Sequence, residues 1–128
     1  MRVVALVFTG GTISMRFDAA IGGAVPALGA DEIVAAARGI EEVASLRVEE
    51  WGRYPGPHMT TERQWALRAR LLALVTDPAI DGVVVTHGTD TLEDLIGRVI
   101  GKAFKACCLR KGQLWVHSIA FRRRLRRR

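Results

Sequence analysis

The chain has 128 residues, about half of them apolar and a quarter charged, which is the composition of one small globular domain and excludes a disordered or collagen-like chain. No apolar run approaches the length of a membrane span, and the run near the start, Val3 to Phe8, leads into Thr9-Gly10-Gly11-Thr12 rather than a small-residue cleavage site. A cytoplasmic location is therefore expected, with no membrane partner. The two cysteines, Cys107 and Cys108, are adjacent, which rules out a disulfide-stapled fold and offers no zinc-ligand spacing.

The net charge of +6 hides an abrupt break. Residues 1–95 carry all 13 acids against 8 arginines and no lysine, net −5, whereas residues 96–128 carry 11 bases and no acid. Two regions are expected: an α/β domain over 1–95 and an anomalous basic tail over 96–128, either disordered or translated in a shifted frame. Charge alone, without interleaved aromatics or a Gly-rich RNA-binding signature, does not make a nucleic-acid interface, so nucleic acid is not expected as a partner.

In chain order, Val3 to Phe8 is a continuous apolar run rich in β-branched residues and reads as a buried parallel strand. Arg16 to Gly29, with three glycines and a proline, reads as a long loop. Asp31 to Arg38 reads as a short helix, with acids in its first turn and Gly39 placed to cap its end. Ser45 to Glu49 alternates and reads as a second strand, with Leu46 and Val48 on one face. Tyr54-Pro-Gly-Pro-His58 is a turn. Thr61 and Gln64 are spaced as a capping box, opening a helix that places Trp65, Ala69 and Leu72 on one side and ends near Asp77-Pro78. Leu71, Leu74 and Val75 adjoin that side. Gly82 to Val85 is a third buried strand. Thr91 and Asp94 are spaced as a second capping box, for a helix with Leu92, Leu95, Ile96 and Val99 inward. Beyond residue 101 there is no convincing periodicity, with Gln113 to Ala120 the one candidate strand. This order predicts an open, mainly parallel α/β sheet with flanking helices.

Chemistry is expected at two places that share one grammar. Val7-Phe8 runs into Thr9-Gly-Gly-Thr12, and Val84-Val85 runs into Thr86-His-Gly-Thr-Asp-Thr91. In open α/β sheets ligands bind beyond the carboxyl ends of the strands, where glycines bring backbone N–H groups close and threonines add hydroxyls. Asp90 adds a carboxylate suited to an ammonium group. Neither loop has the spacing of a phosphate loop. His87 reads as a hydrogen-bonded core histidine rather than a general base, and Thr91 as a cap rather than a catalyst.

Phe8-Thr-Gly-Gly-Thr-Ile-Ser14 together with Val85-Thr-His-Gly-Thr-Asp-Thr-Leu-Glu93 resembles the two signature segments of bacterial-type L-asparaginases, and Gly56-Pro-His-Met-Thr60 resembles a substrate-loop segment of that family. The likeness covers residues 1 to about 95. It implies a threonine-dependent amidohydrolase that converts L-asparagine, or alternatively L-glutamine, to the acid and ammonia without metal or cofactor. Thr12 matches the family's nucleophile, and Thr89 with Asp90 matches the second catalytic threonine and its acidic neighbour. Gly11, Gly88, Thr89 and Asp90 would bind substrate, with Asp90 on the α-ammonium. Gly56, Pro57 and His58 match the loop that takes the α-carboxylate, although the family usually has serine in place of Gly56. The resemblance makes residues 16–29 a lid, here without the tyrosine many members carry. The family's catalytic lysine has no counterpart, since this chain's lysines are 102, 105 and 111 only. Full-length members are much longer homo-oligomers, so a truncated chain of low activity is expected. The alternatives are a non-catalytic amino-acid-binding fragment and a nucleic-acid binder acting through its basic tail.

Overall fold

The computed structural model describes residues 1–88, 90, 91, 93, 94 and 97, together with the backbone of 114–117. Its elements are β1 (Val3–Gly10), β2 (Met15–Asp18), β3 (Gly23–Pro26), α1 (Ala30–Ala36), α2 (Ile40–Val43), β4 (Ser45–Tyr54), α3 (Thr61–Thr76), β5 (Gly82–Thr86) and β6 (Leu114–His117), with short 3-10 turns at Thr12–Ser14 and Gly56–His58. The main sheet runs β4-β1-β5-β6. β1 pairs in parallel with β4 and β5, and β5 pairs in parallel with β6. The expected open parallel sheet with flanking helices is the architecture observed.

The sheet is covered on both faces, which is why β1 reads as an unbroken apolar run. Ala5 and Val7 of β1 and Val83 and Val85 of β5 pack against Leu67, Leu71, Leu74 and Val75 of α3. Leu6, Phe8, Leu46, Val48 and Val84 pack on the other face against Ala30, Ile33 and Val34 of α1. Leu46 and Val48 thus share one face, as expected. The opposite side of β4 carries Arg47 and Glu49 before Trp51, which packs against the α3-side core. Glu49 accepts from the fork of Arg70 on α3, with the Nε contact at 2.8 Å, and also pairs with Arg47. Arg70 holds the Glu49 carboxyl below its usual range.

Several expectations differ from the structure, the first being the end of α1: its C-cap is Ala37, and Gly39, at φ +78°, stands at the start of α2 instead. Residues 15–26 are not a structureless loop but an antiparallel hairpin, β2-β3. Its turn is closed by Asp18 Oδ1, which accepts from Ala20 N (2.8 Å) and Ile21 N (3.3 Å), and by Gly22 at φ +68°. The hairpin carries no hydrophobic face to announce itself, since Phe17 is 75% exposed. The cap of α3 is Thr60 rather than Thr61: Thr60 is extended and its side chain accepts from Arg63 N at 3.4 Å. Gln64, expected in the box, is buried and donates from Nε2 to Met59 O at 3.2 Å. Finally, α3 turns Leu67, Leu71 and Leu74 inward and leaves Trp65 and Leu72 exposed. Both rows have the same helical spacing, and the leucine row buries more branched apolar surface against the sheet. Trp65 is partnered instead by the Arg68 guanidinium, 5.6 Å from the ring centroid.

β6 falls within the expected strand at 113–120 and adds to the main sheet beside β5. The inward residues expected after Thr91 (Leu92, Leu95, Ile96 and Val99), Thr89 and both cysteines lie outside the described residues. Among the described residues no helix is long and apolar enough to cross a membrane.

Candidate active site

The carboxyl ends of β1, β4 and β5 meet at one edge of the sheet. β1 bulges between Phe8 and Gly10, which pairs with Tyr54 at the end of β4. Gly10 and Gly11 have φ of +100° and +84°, a region that side chains resist. Close approach is a second constraint. A Cβ on Gly10 would fall 2.5 Å from Tyr54 N, and one on Gly11 would fall 2.5 Å from Gly88 N. Gly11 N donates to Tyr54 O at 3.1 Å. The Gly-Gly pair thus lets β1 leave the sheet while wedged between the ends of β4 and β5.

Gly88 completes the junction. A Cβ there would lie 3.4 Å from the Cα atoms of both Gly11 and Gly56. Three buried glycines from three separate segments are therefore packed backbone against backbone. Thr12 follows Gly11 as the first residue of a 3-10 turn and is exposed. Ser14 closes that turn: its N donates to Gly11 O at 3.0 Å, and its carbonyl accepts from Ala27 N (2.9 Å) and Leu28 N (3.0 Å), returning the β2-β3 hairpin to the same edge. Asp90 is exposed, and its carboxylate lies over Gly56, where a Cβ would be 2.8 Å from Asp90 Oδ2. Pro57 and His58 are exposed on the 3-10 turn that Gly56 begins. The turn is fixed by Arg63 of α3, which donates from Nη1 to His58 O and stacks 4.0 Å over the Tyr54 ring.

Of the residues expected at the site, Gly11, Gly56, Gly88 and Asp90 are in direct contact, with Thr12, Pro57 and His58 attached to that junction. Thr89 falls outside the described residues.

Beneath the junction runs a buried polar chain that residue-by-residue reading did not assemble. Thr9 Oγ1 donates to Thr86 O at 2.7 Å and lies 3.1 Å from His87 Nδ1. His87 Nε2 lies 2.9 Å from Thr91 Oγ1, and that oxygen lies 3.3 Å from Gly56 O, so the one Thr91 hydroxyl hydrogen stands between two acceptors. His87 is buried and hydrogen-bonded, as the sequence suggested. Burial lowers its pKa, opposed by a bond to the Thr91 backbone that favours the charged form. Among the described residues no cluster of three or more His, Cys, Asp or Glu is placed to hold a metal ion.

The fold and this edge define a class: an open parallel α/β domain whose strand carboxyl ends carry hydroxyls and a carboxylate on glycine-rich turns. Comparison with known proteins is specific about which one. The profile of the family described as "Asparaginase, N-terminal" matches residues 3–95. The chain is 35% identical over 89 residues to a component of the glutamyl-tRNA(Gln) amidotransferase of Methanosarcina barkeri, covering 70% of this chain and 21% of that protein. It is 30% identical over 94 residues to a glutaminase-asparaginase of Pseudomonas fluorescens, covering 71% and 26%. A probable cytoplasmic L-asparaginase from Campylobacter jejuni has the same fold with a TM-score of 0.62 at 30% identity, covering 74% of this chain and 27% of that one. The chain belongs to the asparaginase family, a family of amidohydrolases and amidotransferases. It spans about a fifth to a quarter of the length of these curated relatives.

Proposed function

We propose that the site is that of an L-asparaginase-type amidohydrolase, which hydrolyses L-asparagine to L-aspartate and ammonia. The observation that supports the reading is the glycine junction: Gly11, Gly56 and Gly88 pack together, so the segments that carry Thr12, Pro57 with His58, and Asp90 start from one edge of the sheet. Thr12 Oγ would attack the side-chain amide carbon, giving a tetrahedral oxyanion. Its collapse breaks the C–N bond, and ammonia leaves with the hydroxyl's proton. Water then cleaves the threonyl ester, releasing aspartate and restoring Thr12. A threonine hydroxyl needs a base or a polarised proton path to attack, the part given to Thr89 and Asp90. Backbone N–H groups of glycine-rich turns suit the oxyanion. Asp90 takes the α-ammonium, and the turn at Gly56, Pro57 and His58 takes the α-carboxylate through backbone groups. L-Glutamine is the alternative substrate, in keeping with the names of the relatives.

A second reading is a module that binds amino acid without turnover. It is favoured by the absence of lysine from residues 1–95, the stretch that carries both signature segments. Basic residues 96–128 would then serve as an anchor, and the domain division at residue 95 is part of both readings. The discriminating experiment is ammonia release by the purified chain, with Thr12→Ala and Thr89→Val as controls. Low turnover abolished by either substitution is expected of the amidohydrolase. Saturable aspartate binding without turnover, lost in Asp90→Ala, supports the second reading. Normal turnover surviving both threonine substitutions overturns the site.

A further inference from the structure

We propose that His87 is a positioning residue, held neutral with its proton on Nδ1, that locks the Asp90 loop and the Gly56 turn to the end of β1. Proton counting gives the direction. The Thr9 hydroxyl has one hydrogen, and its shorter contact, 2.7 Å to Thr86 O, takes it. Thr9 Oγ1 is then an acceptor, so Nδ1, 3.1 Å away, must be its donor. A neutral imidazole with Nδ1 protonated has a bare Nε2, which accepts from the Thr91 hydroxyl at 2.9 Å. The same hydrogen is shared with Gly56 O at 3.3 Å, the longer branch of a three-centre bond. Thr9 and His87 are both buried, and a bare Nδ1 would face the Thr9 oxygen with no hydrogen between them.

The consequence is a tie across the whole junction. Thr9 sits on β1 and Thr91 in the segment after Asp90, while Gly56 opens the turn against which the Asp90 carboxylate lies. Glycine backbones packed this closely have no side chains to interlock, so their register depends on neighbouring groups, and His87 is the group that reaches two of the three segments. The assignment of the Gly56 turn as a substrate turn rests on the proposed function. The tautomer and the tie do not.

The test is nitrogen-15 NMR of the full chain with labelled histidine at about pH 8, above the ordinary histidine range. Expected is a protonated Nδ1 and a bare Nε2 at His87, a pattern lost in Thr9→Val. A bare Nδ1 with a protonated Nε2 overturns the proposal. Two variants test the tie. His87→Gln places an acceptor near the Nε2 position and keeps Thr91, whereas His87→Asn reaches only Thr9. Hydrogen exchange at Met59 N, which donates to Gly56 O at 3.1 Å, reads the turn. At least tenfold faster exchange is expected in His87→Asn and near-normal exchange in His87→Gln. Equal effects of both, or none, overturn the tie. Because neither readout uses substrate, failure of the ammonia assay leaves this inference standing, and failure here leaves the amidohydrolase reading standing.

Discussion

Gly11 joins the conformational and the steric requirements of the site in one residue. Its φ of +84° disfavours any side chain, and the added Cβ would strike the Gly88 backbone, which has no rotamer to escape into. Gly11→Ala is expected to cost about 1–3 kcal/mol from the backbone strain alone, measured by urea denaturation, and to lose ligand binding with it. His87 supplies a pH prediction. Burial lowers its pKa in the folded chain, so below its ordinary value of 6.5 the unfolded chain binds a proton that the folded chain refuses. Stability is full above that pH and declines as pH falls below it, until the folded histidine also titrates. Denaturation midpoints between about pH 7.5 and 5 should show this slope, and His87→Gln should flatten it. Thr86 to Thr91 was legible because six consecutive polar or glycine residues at a buried strand end have no packing explanation, and Thr9 to Thr12 because it repeats the same strand-end grammar. The His87 chain was not. Thr9 and His87 are 78 positions apart, and nothing in either neighbourhood names the other.

Among elements, the strands were plain because a continuous apolar run covered on both faces has one reading. β1 and β5 both alternate between the α3 side and the α1 side along their length. β4 was seen only in its first half. Its later residues, Glu50 to Tyr54, bear an ion pair with Arg53 and an edge-on Trp51–Tyr54 contact rather than an alternating pattern. The β2-β3 hairpin stayed hidden for a related reason: it is held by the Asp18 turn and the Ser14 carbonyl, and buries almost no apolar surface. α3 offered two rows of equal period, and only the sheet decides between them. Replacing Leu71, 1% exposed, by alanine should cost about 2–5 kcal/mol, whereas Leu72→Ala, at a site 40% exposed, should stay within about 0.5 kcal/mol. Thermal melts of the pair check the orientation of the helix directly.

For the molecule as a whole, the parallel sheet does the assembling. Because β1, β4 and β5 run the same way, their carboxyl ends fall on one edge, and segments beginning near residues 11, 56 and 88 become neighbours without any being close in sequence. The family match stops at residue 95, where the charge pattern also breaks. The central claim is that these ends form one site for one small amino acid. Titrating L-aspartate into the nitrogen-15-labelled chain tests it most directly. The amides of Thr12, His58, Gly88 and Asp90 are expected to shift together along a single binding curve. Shifts confined to one of the three segments, or separate curves for Thr12 and Asp90, would contradict it.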